Sequence, residues 1–120
     1  MADGNNVIAY LEAGLRVSGL RGRVIADNIA NLETPGFRRR AVRFEKLLAE
    51  ALDGASDVEL GELKARVFQP RTTPVNARGN DVSLDVEVGQ MIQNGARYKT
   101  YLRVLTRLYR QMEMAMGGQP

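Results

Sequence analysis

Apolar residues recur at alternating spacings of three and four at both ends of this chain and lose that rhythm between them. The first run is Ile8, Leu11, Leu15, Ser18, Gly22, Ile25, Ile29 and Leu32, which predicts an amphipathic helix with a coiled-coil-like seam. Ser18 and Gly22 are its small members, where a partner backbone can approach closely. Val17, Leu20 and Val24 add a second stripe, wider than one partner helix would cover. The second run is Leu84, Val88, Met91, Gly95, Tyr98, Leu102, Leu105, Tyr109, Met112 and Met116. At about 1.5 Å per residue the two helices reach about 35–40 Å and about 50 Å. Asp81, Asp85 and Glu87 lie near the start of the second, and Arg97, Lys99, Arg103, Arg107 and Arg110 in its later part, a polarity that suits the helix dipole. Val82 to Val88 also alternates with period two, so the start is left open. Gly89 and Gly95 each cost about 1 kcal/mol relative to Ala inside a helix. Gly95 lies on the seam, where a small residue admits a neighbour, and Gly117-Gly118 ends the run.

The first helix is expected to stop at Asn28-Ile29-Ala30-Asn31-Leu32-Glu33-Thr34-Pro35-Gly36-Phe37. Pro35 disfavours helical dihedrals at Thr34, and Pro35-Gly36 suits the central positions of a type II turn. Asn28 and Asn31 share one face of the last turn, where their amides can tie it to another segment or simply mark the stop. The middle, 37–80, differs in kind. A basic stretch (Arg38, Arg39, Arg40 and Arg43) leads into Leu47, Leu48, Ala51 and Leu52, a short helix ending near Gly54. Between Glu50 and Glu62 come five acids and no base. Leu63 to Phe68 alternates like a strand that needs a partner, and Pro70, Pro74 and Gly79 mark loop. The middle therefore promises a poor core and partner-dependent order.

A mainly α fold follows: long N- and C-terminal helices packed as an antiparallel coiled-coil-like pair, with an irregular middle and little β. The segments 1–36, 37–80 and 81–120 make one structural unit. With 120 residues, 44% hydrophobic, the chain is one domain's worth, but three Phe, four Tyr and no Trp give few core anchors. Cys and His are absent, which removes thiolate and imidazole metal sites and histidine acid-base chemistry. Ser18, Ser56 and Ser83 lack a nucleophile context, Glu59 and Glu62 lie in a polar run, and Gly19 and Gly22 form no phosphate loop. No catalysis, cofactor or small-molecule substrate is expected. Net charge is +3, and 14 of the 17 bases are Arg. Arg38 to Arg43, flanked by Phe37 and Phe44, could serve nucleic acid, but the acidic run offsets that field and no binding motif accompanies it. No nucleic-acid partner is expected. No run reaches the roughly 20 apolar residues of a membrane span, and Met1 to Asn6 lacks a secretory signal's basic start. The two seams suit a closed bundle module or an open helical polymer alike.

Ala30-Asn31-Leu32-Glu33-Thr34-Pro35-Gly36-Phe37 is similar to the Ala-Asn-x-x-Thr-Pro-Gly-Phe/Tyr run that follows the N-terminal helix of bacterial flagellar axial proteins. Gly79-Asn80-Asp81-Val82-Ser83-Leu84-Asp85-Val86-Glu87 resembles the Gly-Asn-Asn-Val-Asp-Leu-Glu-x-Glu that opens the C-terminal helix of flagellar rod proteins. Phe37 to Glu45 and Tyr98, after Met91-Ile92-Gln93-Asn94-Gly95-Ala96-Arg97, match as well. Arg40 and Val88-Gly89 depart from the familiar pattern. On these motifs the chain resembles the basal-body rod family, most like its small proximal members, with a second small member as the alternative.

The resemblance implies a structural rod subunit that self-assembles in a helical tube and passes torque from ring to hook. It implies passage through the export apparatus without a cleaved signal peptide, a periplasmic location, and neighbours that include other rod proteins, the ring-to-rod adaptor FliE and the membrane-supramembrane ring. Ile8, Leu11, Leu15, Ile25 and Ile29 are expected to pack on Tyr98, Leu102 and Leu105 of the same subunit. Val17, Leu20, Val24 and Leu108 are expected to meet neighbouring subunits. Asn28, Asn31 and the Thr34-Pro35-Gly36 turn would fix where the chain leaves the core, and Phe37 and Asn80 are expected at protein interfaces. Arg39 and the basic stretch would cross a neighbour's acidic surface.

Overall fold

The computed structural model describes residues 4–53 and 64–117. Helix α1 runs Gly4–Ala30, strand β1 Ala41–Arg43, helix α2 Glu45–Leu52, strand β2 Arg66–Phe68 and helix α3 Leu84–Gly117. The two long helices pack antiparallel against each other, as Asn28 beside Glu87 at one end and Tyr10 beside Tyr101 towards the other require. β1 and β2 pair antiparallel, Val42 opposite Val67. The strand expected before Phe68 thus finds its partner inside the middle segment. Gly54, Ser56, Asp57, Glu59, Glu62, Leu63 and Gly118, on which parts of the sequence reading rest, lie outside the described residues.

The described part of the middle does contribute to the core, and this corrects the sequence reading. Val42 and Phe44 alternate inward from β1, Leu48 follows on α2, and all three are buried with Ala13 and Val17 of α1. Tyr10, Leu20, Val24 and Ala65 pack around them. The second stripe of α1, expected to meet neighbouring subunits, is therefore covered by its own chain. Four Arg between 38 and 43 obscured the two-residue apolar alternation that marks a half-buried strand. Arg43 instead stacks 4.4 Å from the Phe68 ring, across the strand pair.

The rotation of α3 is the second correction. Its inward row is Glu87, Gln90, Asn94, Arg97, Tyr101, Leu105 and Leu108, polar in its first half. Leu105 is buried as expected, but Tyr98 and Leu102 are 45% and 42% exposed. Leu84, Val88, Met91, Tyr109, Met112 and Met116 of the apolar run are also exposed. Specific contacts set this rotation. Asn94 Nδ2 donates to Ser18 O at 2.9 Å, in the space left by Gly22. The Tyr101 ring lies on Gly14, 2.7 Å from where a Cβ would stand. Arg21 Nη2 donates to Val42 O at 3.2 Å and to Glu45 Oε2 at 2.8 Å, tying α1 to the middle layer.

Candidate functional site

Two stretches far apart in sequence, 28–40 and 76–87, close on each other at one end of the helix pair. Its first component is the chain reversal after α1. Asn31 Nδ2 donates to Asp27 O at 2.8 Å, and Thr34 Oγ1 donates to Asn31 Oδ1 at 3.0 Å, so orphan groups at the helix end are satisfied locally. Phe37 N donates to Thr34 O at 3.3 Å, and Gly36 has φ +76°, the conformation a type II turn requires at its third position.

The loop before α3 docks on that turn. Gly36 N donates to Arg78 O at 2.8 Å. Buried Asn80 Nδ2 donates to Asn31 O at 2.9 Å and to Thr34 O at 2.8 Å, while its Oδ1 accepts from Val82 N at 2.7 Å. Gly79, at φ +77°, comes so close that a Cβ on it would stand 3.6 Å from Gly36 Cα. Asp81 accepts from Arg39 N at 2.6 Å and lies 3.3 Å from the Arg38 guanidinium.

Behind the turn lies a buried ionic group. Glu87 and Asn28 are both 0% exposed. Glu87 accepts from Asn28 Nδ2 at 2.8 Å and from Arg39 Nε at 2.6 Å. Asn28 also reads both backbone groups of Arg40: its Nδ2 donates to Arg40 O at 2.8 Å and its Oδ1 accepts from Arg40 N at 2.9 Å. A buried charge is tolerable only when paired and hydrogen-bonded, and here both ions are. No group of three His, Cys, Asp or Glu among the described residues could hold a metal.

Several expected site residues are therefore placed differently. Arg39 meets Glu87 of its own chain, not a neighbour's acidic surface. Asn28, Asn80 and Val17 are buried inside the subunit. Asn31 secures its own helix end, and only its carbonyl reaches the second segment. Leu11 and Leu105 are buried, Leu15, Leu20, Val24, Phe37 and Leu108 half-buried, and Thr34, Pro35 and Gly36 exposed. Sequence reasoning missed Asp81 and Glu87 as interior groups, having taken both as helix-dipole acids, and missed Gly14. The signal for Glu87 was its seven-residue, two-turn register with Asn94 and Tyr101 rather than with the apolar run.

Beside the face that packs on α1, α3 shows solvent a nearly continuous stripe of Val88, Met91, Tyr98, Leu102, Tyr109 and Met112, at whose edge the Tyr109 hydroxyl donates to Glu12 Oε2 of α1 at 2.9 Å. No helix of the described residues is long and apolar enough to cross a membrane. A subunit with a polar-clamped interior and its apolar run turned outward has the form of an assembly component, and comparison with known proteins gives it a family. A flagellar basal body rod protein FlgB of Borrelia hermsii is 30% identical across 85% of this chain and 89% of its own length. The chain belongs to the FlgB family of flagellar basal body rod proteins. FlgB of Borreliella burgdorferi is 26% identical across 97% of this chain and 99% of its own length. FlgB of Escherichia coli is 28% identical across 82% and 84% respectively. No family model matches the chain. As a FlgB-family member it is a structural subunit of the bacterial flagellar rod, and the clamp joins the two stretches by which it resembles that family.

Proposed function

We propose that this subunit belongs to the proximal part of the rod and is held there chiefly by the outer face of α3. The observation that carries this reading is the exposed apolar stripe through Tyr98 and Leu102, since a large uncovered apolar surface marks an interaction site. Half-buried Leu108 and Leu15 border the contact, and the exposed Thr34-Pro35-Gly36 turn with Phe37 offers a second one. Leu11, Val17, Leu20, Val24, Asn28, Asn31, Arg39, Asn80 and Leu105 serve the assembly from within by holding those surfaces in place.

The neighbours are other rod proteins, the ring-to-rod adaptor FliE and the membrane-supramembrane ring, with the export apparatus met in transit. The subunit reaches the periplasmic rod without a cleaved signal peptide and passes torque from ring to hook. Residues 1–36, 37–80 and 81–120 act as one unit. Its work is binding, with no catalytic step, cofactor, nucleic acid or small-molecule substrate.

Leu102→Asp tests this reading. Leu102 is exposed, so the purified variant should keep its circular dichroism and melting temperature while a strain carrying it builds no rod in isolated basal bodies. Leu105→Asp, at a buried position, should instead unfold the subunit itself. Normal rods and swimming with Leu102→Asp would overturn the proposal.

A further inference from the structure

Residues 88–112 carry five cations, Arg97, Lys99, Arg103, Arg107 and Arg110, and no acid. Lys99, Arg103, Arg107 and Arg110 step by four, four and three, so they form one row about 17 Å long on α3. All four are exposed, and none has a carboxylate partner among the described residues. At about 100° per residue, Tyr98, Leu102 and Tyr109 fall between this row and the Tyr101-Leu105-Leu108 face that meets α1. The exposed outer flank of α3 is thus an apolar strip bordered by the α1 contact on one side and by the cation row on the other.

That pattern restricts what can cover it. Two copies joined by antiparallel α3 strips would bring their cation rows side by side, and like charges at an interface are penalised. Gly95 interrupts the strip with nothing within 4 Å of its Cβ position, so another helix backbone can approach there. Such a gap contributes no apolar surface to a bilayer. We infer that the outer face of α3 docks an amphipathic helix of a different protein whose apolar strip is edged by carboxylates. Three of the four cations are Arg, whose planar guanidinium pairs with carboxylate in two parallel hydrogen bonds. The inference rests on the rod-subunit reading and gives the chemistry of one neighbour.

The test uses the full chain with two synthetic helical peptides, each with a leucine strip, one edged by Glu and one by Lys. The Glu-edged peptide should bind, with affinity falling roughly tenfold or more as added salt screens the charges. A quadruple variant, Lys99→Glu with Arg103→Glu, Arg107→Glu and Arg110→Glu, should lose that peptide and gain the Lys-edged one, an exchange that misfolding cannot produce. Equal binding of both peptides, binding of neither, or binding only to phosphatidylglycerol vesicles would overturn the inference. So would self-association through this face, if the quadruple variant abolishes it. In cells, deletion of the gene without loss of the flagellum would sink the rod reading. Deletion that removes the flagellum, with full rescue by the quadruple variant, would sink the inference alone.

Discussion

Replacing Arg39 by Met should be among the costliest single changes in this chain. The Arg39 side chain is 8% exposed and that of Glu87 0%, with Nε 2.6 Å from Oε2. Met keeps most of the packed stem, and the Arg39 backbone bond to Asp81 survives, so the change isolates the ion pair. It leaves Glu87 with only the Asn28 amide as a partner. Removing one member of a buried pair typically costs about 3–5 kcal/mol, because the other charge stays buried and uncompensated. A domain of this size is stable by about 6–18 kcal/mol, so the loss is a large fraction of the whole. With a urea slope of about 2 kcal/mol per molar, the unfolding midpoint should fall by about 2 M. Glu87→Met should cost a comparable amount by orphaning Arg39. The double variant should lie well above the sum of the singles, by about 3 kcal/mol, since neither ion is then left alone. Urea titrations of the four proteins at constant slope decide the matter. Additive singles, or an Arg39→Met cost below about 1 kcal/mol, would refute the claim that this pair holds the clamp.

Three further expectations concern stability. Gly36→Ala meets no atom within 4 Å, so its cost should be backbone strain alone, about 1–2 kcal/mol from the positive φ; an unchanged melt would mean the turn is not type II. Gly14→Ala should destabilise by about 1–2 kcal/mol, although Ala favours a helix by about 1 kcal/mol, because its methyl would press on a Tyr101 ring backed by Tyr10; a stabilised variant would show that the ring is free to move. Burial, with smaller contributions from Tyr10 and Glu45, pushes the Tyr101 hydroxyl from 10.0 to about 12. Its neutral form is therefore favoured by folding. The contribution is complete below pH 10 and is lost as pH rises towards 12, because the unfolded chain releases this proton first. Tyr101→Phe should flatten the fall in urea midpoint between pH 10 and 12, and an identical fall would exclude this cause.

By itself the sequence determined the two long helices and the break between them. Local preference suffices there, since spacing sets the helices and Pro35-Gly36 stops the first one. Gly36 was legible as a turn glycine because few residues tolerate positive φ. The short helix before Asp53 was legible for the same local reasons. Tertiary structure decided which face of each helix turns inward. Apolar periodicity locates a stripe but does not say whether the same chain or another will cover it, and on α3 the same chain leaves most of it open. The inward row of α3 is chosen by pairings such as Glu87 with Arg39 and Asn94 with Ser18, which join residues 48 and 76 positions apart. No window along the chain contains both partners, so Arg39 read as a surface cation until folding placed a carboxylate beside it. The core of the middle segment stayed hidden for a related reason: Val42 belongs to a strand only once β2 pairs with it, and Val42 and Phe44 become core only once α1 receives their side chains.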